Sequence, residues 1–280
     1  MIIAFPSTNY HRGLCDKITQ DLMGLLSNRA VRPLHPTLSS GKPNKTPVCF
    51  RRMLIGFRHL NVLMASDTDG AKGFFFRQYR DIVLTRLKIV PVDDGVFRII
   101  ISLKLGKGLS YNSRDIGNGE ELAAELRKTD FGTPTEVKVV SLAGMDIREQ
   151  IRLISSSNLW FTPSGATSFM APFLSDSSTL VVLPYCSNGP INSTTGIRDL
   201  TCKGSFCCYS APMDNFFFNQ IPAQVDWYPV QIPEEIMGAC SRLDVLRTFD
   251  CHVRVNFEKF KTIVRRAMFR RSEIIKAHTM

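Results

Sequence analysis

One stretch, Glu149 to Pro184, constrains the fold of this chain more than any other: EQIRLISSSNLWFTPSGATSFMAPFLSDSSTLVVLP. Asp146 and Glu149 stand three apart ahead of an apolar-periodic run, Ile147, Ile151, Leu153 and Ile154, the pattern of a capping box on a short helix. Leu159-Trp160-Phe161 then predicts a buried strand. Thr162-Pro163-Ser164-Gly165-Ala166 breaks it with turn residues. Phe169, Met170, Phe173 and Leu174 recur at helical spacing, and Thr179 to Leu183 predicts a second strand stopped by Pro184. Strand, Gly-containing turn, helix and strand make a βαβ unit of a parallel sheet.

In such units ligands lie beyond the carboxyl ends of the strands, where Ser164, Gly165 and Ala166 open a helix. Backbone N–H groups and the positive dipole end there favour a phosphate, and Gly165 permits close approach. The same Pro-Ser-Gly also reads as a plain connecting turn, because one Gly is far weaker than a G-x-G-x-x-G fingerprint.

Val96 to Leu103 predicts another strand, with Lys104 at its carboxyl end. Asn118, with Glu121 three later, predicts a helix through Lys128, and Glu136 to Leu142 the next strand. The order from Val96 to Leu183 is therefore β-α-β-α-β-α-β, which right-handed crossovers turn into a parallel, Rossmann-like sheet. Tyr79 to Leu87 predicts a helix joining two halves. Phe74 to Phe76 are expected in the core, as are Phe216 to Phe218, Trp227 and Tyr228. After Pro184 the chain reads as irregular. Asn256 to Ala277 predicts a basic amphipathic helix whose face of Phe257, Phe260, Ile263, Val264, Ala267 and Met268 covers the sheet.

Several of these segments together resemble the signature of glycosyltransferase family 61. They are Glu149-Gln150, the apolar strand, Ser164-Gly165-Ala166, Phe173 and the valine-rich strand to Pro184. Asn112 to Leu122 is similar to the family's Ser-Arg-x-Ile-x-Asn-Glu-x-Glu-Leu segment, and Cys49-Phe50 to Gly56 to its Cys-Phe, apolar, Gly segment. His11 and Asp16 resemble the family's Asn-x-Tyr-His followed by Asp. The family usually has His where this chain has Ser164, and a strand ending in Glu-Leu-x-Pro where it has Val182-Leu183-Pro184.

The resemblance implies a GT-B-like α/β protein of two Rossmann-like halves with parallel sheets. Residues 1–95 would form an incomplete N-terminal half on the acceptor side and 96–215 the nucleotide-sugar-binding half. Residues 216–280 would be an extension carrying the basic helix. It implies inverting transfer from a nucleotide sugar, a UDP-sugar, to a glycan or glycoprotein hydroxyl, with no cofactor and no obligatory metal. His11 and Asp16 would supply the base. Lys104, Ser113, Arg114, Asn118, Glu149, Ser164, Gly165 and Ala166 would meet the donor. Because Ser164 is shorter and neutral where the family carries His, slow transfer is expected. The resemblance places such enzymes in the Golgi or endoplasmic reticulum lumen, with membrane attachment only through an N-terminal anchor not visible in this sequence.

Charge and cysteines agree with that reading without requiring it. The formal net charge is +10, with basic ends and a mildly acidic middle, as suits an anionic ligand such as a nucleotide diphosphate. No zinc-finger, RNP or basic-zipper pattern supports nucleic acid. Five of the eight cysteines fall between 186 and 240, which permits one to three disulfides or plain buried thiols, and no C-x-x-C pair suggests zinc. Asn44-Lys45-Thr46 and Asn192-Ser193-Thr194 are glycosylation sequons. Asp67-Thr68-Asp69 has metal-motif spacing but lies in a polar turn. Three alternatives stay open: a degenerate transferase that binds without turnover, a basic polyanion-binding protein, and a nicotinamide enzyme, which the missing G-x-G-x-x-G opposes.

Overall fold

A computed structural model describes residues 74–104, 115–188, 198–203, 206–210, 212–243 and 248–279. The chain divides into two compact units, residues 1–66 with 81–89, and residues 67–80 with 90–280. Helix α1, Phe74–Leu87, contributes to both. It starts five residues earlier than its apolar periodicity predicts, so the aromatic run lies inside it. In the first unit the described chain is the second half of α1. It ends where Lys88 adopts φ 54° and Ile89 N–H donates to Leu84 O at 2.9 Å.

The second unit is built on a five-stranded parallel sheet. Its elements in chain order are β1 Phe97–Ser102, α2 Gly119–Lys128, β2 Thr135–Val140, α3 Ile147–Ser155, β3 Leu159–Pro163, a 3₁₀ helix Ala166–Phe173 and β4 Thr179–Leu183. The predicted β-α-β order is present, and every pairing within it is parallel. β3 runs on through Thr162 and Pro163, which pair with Val182 and Leu183, so the turn begins two residues later than expected. β1, β3 and β4 bury nearly every residue, as strands covered on both faces must.

Asp146 caps α3 as predicted, its carboxylate accepting from Arg148 N–H at 2.9 Å. Asn118 stands at the start of α2, but its side chain makes no capping bond. The helix expected at Phe169 to Leu174 is 3₁₀ and contains Pro172, whose ring nitrogen has no proton to donate.

The stretch beyond Pro184, expected to be irregular, is instead a second sheet. It holds β5 Tyr185–Asn188, β6 Arg198–Lys203, β7 Phe206–Ser210, β9 Ile236–Leu243 and β10 Thr248–Val253, all antiparallel, in the order β6-β7-β5-β10-β9. Between its strands the chain makes α4, Pro212–Gln220, and β8, Gln224–Trp227. β8 pairs in parallel with β4 and completes the first sheet as β2-β1-β3-β4-β8. Cys186 and Cys208, opposite each other on β5 and β7, form a buried disulfide; Cys207 and Cys251 are also disulfide-bonded.

α5, Phe257–Thr279, covers one face of the parallel sheet as its periodicity predicts. Phe260, Ile263, Val264 and Ala267 are buried in one core with Ile99, Ile101, Leu159, Phe161 and Val181. The Phe161 and Phe260 rings lie 4.6 Å apart. Ile100, Trp160, Leu180 and Val182 belong to the opposite face, and the Trp160 indole N–H donates to buried Ser102 Oγ at 2.6 Å. Phe218 and Tyr228 are buried, as packing predicts. Among the described residues no helix is long and apolar enough to cross a membrane.

Candidate functional site

The strand order reverses between β1 and β3. From β1 the chain moves one way to β2, then returns past β1 to β3 and β4. Such a switch point leaves a crevice outside the carboxyl ends of the two flanking strands. Lys104 follows β1 there, and Ser164 and Gly165 follow β3. The Lys104 ammonium donates to Ser164 O at 2.8 Å across that junction.

Gly165 adopts φ 130° and ψ −160°, a conformation that L side chains rarely adopt. A Cβ at this position would stand 3.3 Å from Lys104 Nζ and 3.9 Å from the Tyr185 hydroxyl oxygen. A side chain here would crowd the lysine end slightly and leave the tyrosine at ordinary contact, so the backbone conformation is the stronger reason for glycine. Ser168 locks the turn from within. Its hydroxyl donates to Gly165 O at 2.6 Å, and Gly165 N–H donates to Ser168 Oγ at 3.2 Å.

Two buried carboxylates stand beside Lys104 and Ser164. Asp115, 4% exposed, accepts from Lys104 N–H at 2.9 Å and Ile116 N–H at 2.8 Å. Burial pushes its pKa above the ordinary aspartate value. The two amides and the charges of Lys104 and His252 pull it down by less. Asp214, in the first turn of α4, accepts the Ser164 hydroxyl proton.

The structure thus brings together Lys104, Ser164 and Gly165, with Ala166 opening the 3₁₀ helix behind them. The Ser164 hydroxyl faces Asp214. Glu149 is exposed in the first turn of α3. The Asn118 amide is spent on backbone: its oxygen accepts from Val255 N–H at 2.8 Å and its nitrogen donates to Val255 O at 3.0 Å. It lines a cleft of about 460 Å³ between α2 and the approach to α5. His11, Asp16, Ser113 and Arg114 lie outside the described residues, as do Asp67 and Asp69.

Sequence reasoning missed Asp115, Asp214 and Tyr185 as neighbours of the junction. Asp214 alone left a trace, since Pro212 and Asp214 mark a helix start.

Fold and junction define a Rossmann-like α/β protein with a lysine and two buried aspartates at its strand switch point. The chain matches Glycosyltransferase 61 over residues 8–182, more than half its length, and belongs to that family. The family is one of glycosyltransferases, which take a sugar donor and an acceptor and typically work in the secretory pathway. A buried disulfide suits that oxidising route. No curated protein sequence matches the chain.

Proposed function

We propose that this chain transfers a sugar from a UDP-sugar to a hydroxyl of a glycan or glycoprotein, with inversion. The observation that carries this reading is the meeting of Lys104 with the Ser164-Gly165 turn at the β1/β3 switch point. A diphosphate laid there meets an ammonium, the backbone of a glycine without a side chain, and the amides that open the 3₁₀ helix. Arg114 and Ser113, which lie outside the described residues, are the further donors this reading expects.

In the transfer, the acceptor oxygen attacks the anomeric carbon in line, while the bond from that carbon to the diphosphate oxygen breaks. The acceptor proton passes to His11, which Asp16 orients. Negative charge grows on the departing UDP, and Lys104 and Arg114 stabilise it. In this reading no metal is obligatory, since the Lys104 ammonium is at hand for the growing charge. The unit holding residues 90–280 would be the donor half of a GT-B arrangement, and the N-terminal residues would bring the acceptor in the Golgi or endoplasmic reticulum lumen.

A second reading, binding without turnover, is favoured by the Ser164 hydroxyl, which faces Asp214 rather than the crevice. Calorimetry with UDP, paired with measurement of UDP released from UDP-sugars, tests both. Binding with release supports the transferase, binding alone supports the degenerate form, and neither overturns both. Ser164→His would set an imidazole against the Asp214 carboxylate, and is expected to raise turnover more than it tightens UDP binding.

A further inference from the structure

Ser164 and Asp214 form a deeply buried side-chain pair at the switch point, each 2% exposed, and the transfer proposed above gives Asp214 no role. Leaving a carboxylate in such a place is costly unless donors hold it. α4 supplies one source of compensation, because Asp214 sits in its first turn, where the helix amides favour negative charge. Ser164 supplies a second. All three of its polar groups are committed within the protein. Its N–H donates to Leu183 O at 2.9 Å, its hydroxyl donates to Asp214, and its carbonyl accepts from the Lys104 ammonium at 2.8 Å.

The direction of that carbonyl is therefore fixed at two anchors, the end of β4 and the start of α4. Lys104 reads the result. Asp214 lies 50 residues from Ser164 in sequence and beyond the segment matched to the family.

We propose that Asp214 is a positioning residue: acting through Ser164, it sets where the Lys104 ammonium meets the donor diphosphate. This rests on the donor site proposed above and deepens it. Without the anchor at Asp214 only the Leu183 bond holds Ser164, and the carbonyl that Lys104 meets is less firmly directed.

Calorimetric titration with UDP tests the link in wild type, Lys104→Ala, Asp214→Ala, Asp214→Asn and the Lys104→Ala/Asp214→Ala double variant. Each alanine variant is expected to weaken binding about tenfold or more, the scale of one charge-assisted hydrogen bond. The double variant is expected to be no weaker than Lys104→Ala, because both changes cut one chain of contacts. Asp214→Asn keeps an oxygen for the Ser164 hydroxyl and is expected to restore most of the affinity. Additive losses, or an asparagine variant as weak as alanine, overturn the proposal.

Should Asp214→Ala not fold, Ser164→Ala cuts the same link from its other end and must show the same coupling with Lys104→Ala. Wild type that binds no UDP overturns the functional reading alone. The link is then read from the carbon NMR signal of isotopically methylated Lys104. That signal is expected to move between wild type and Asp214→Ala, and an unmoved signal overturns the positioning role.

Discussion

At the scale of single residues, Gly165 and Asp115 make opposite kinds of demand. Gly165 requires the absence of a side chain, since a Cβ would meet Lys104 Nζ and φ 130° strains any L residue. Gly165→Ala is expected to cost about 1–3 kcal/mol of stability, the usual scale for such backbone strain. Chemical denaturation measures this, and UDP affinity should fall in the same variant as Lys104 is displaced. Asp115 makes its demand through pH. Burial raises its folded pKa above the unfolded value, so the folded state holds the proton more readily. Stability is therefore expected to fall as pH rises from the ordinary aspartate range through the raised folded value, and to stop falling above it. Denaturation midpoints across that window should show this component in wild type and lose it in Asp115→Asn. A slope unchanged by the substitution would assign the pH dependence to other groups.

At the scale of elements, the two sheets depend on different glue. The parallel sheet relies on apolar cover. Phe260 is fully buried against Phe161, and Phe260→Ala is expected to destabilise by about 3–5 kcal/mol in a denaturant titration. The antiparallel sheet has strands of mixed polarity, and Cys186–Cys208 joins two of them across a sequence separation of 22. Replacing both cysteines by Ala is expected to cost about 3 kcal/mol, as for a loop of that length. This contrast is also why one sheet was legible in the sequence and the other was not. Strands such as FRIIIS and TLVVL are buried on both faces and read as continuous apolar runs. Strands such as YCSN and RDLTCK carry no apolar period; Cys186–Cys208 and neighbouring strands hold the first, and pairing with β7 the second. β8, QVDW, is four residues long, and only β4 beside it makes it a strand. Lys104 and Gly165 were legible as neighbours because strand order alone puts them at one crevice. Asp214 was not, because nothing local to α4 says which sheet end it faces.

At the scale of the whole molecule, the matched segment ends at residue 182 before the parallel sheet is closed. β8 and α5 come later and complete its edge and cover. A chain stopped at residue 210 keeps the family segment but loses both. It is expected to lack cooperative thermal unfolding and near-ultraviolet circular dichroism; a sharp transition would show that the later elements are dispensable. The junction has a longer reach than any one variant. A Cβ at 165 would stand 3.3 Å from Lys104 Nζ, the far end of a flexible side chain that need give only slightly. The backbone is the harder constraint: φ 130° favours glycine at 165 whatever residue stands at 104. Descent should therefore leave position 104 freer to change than position 165.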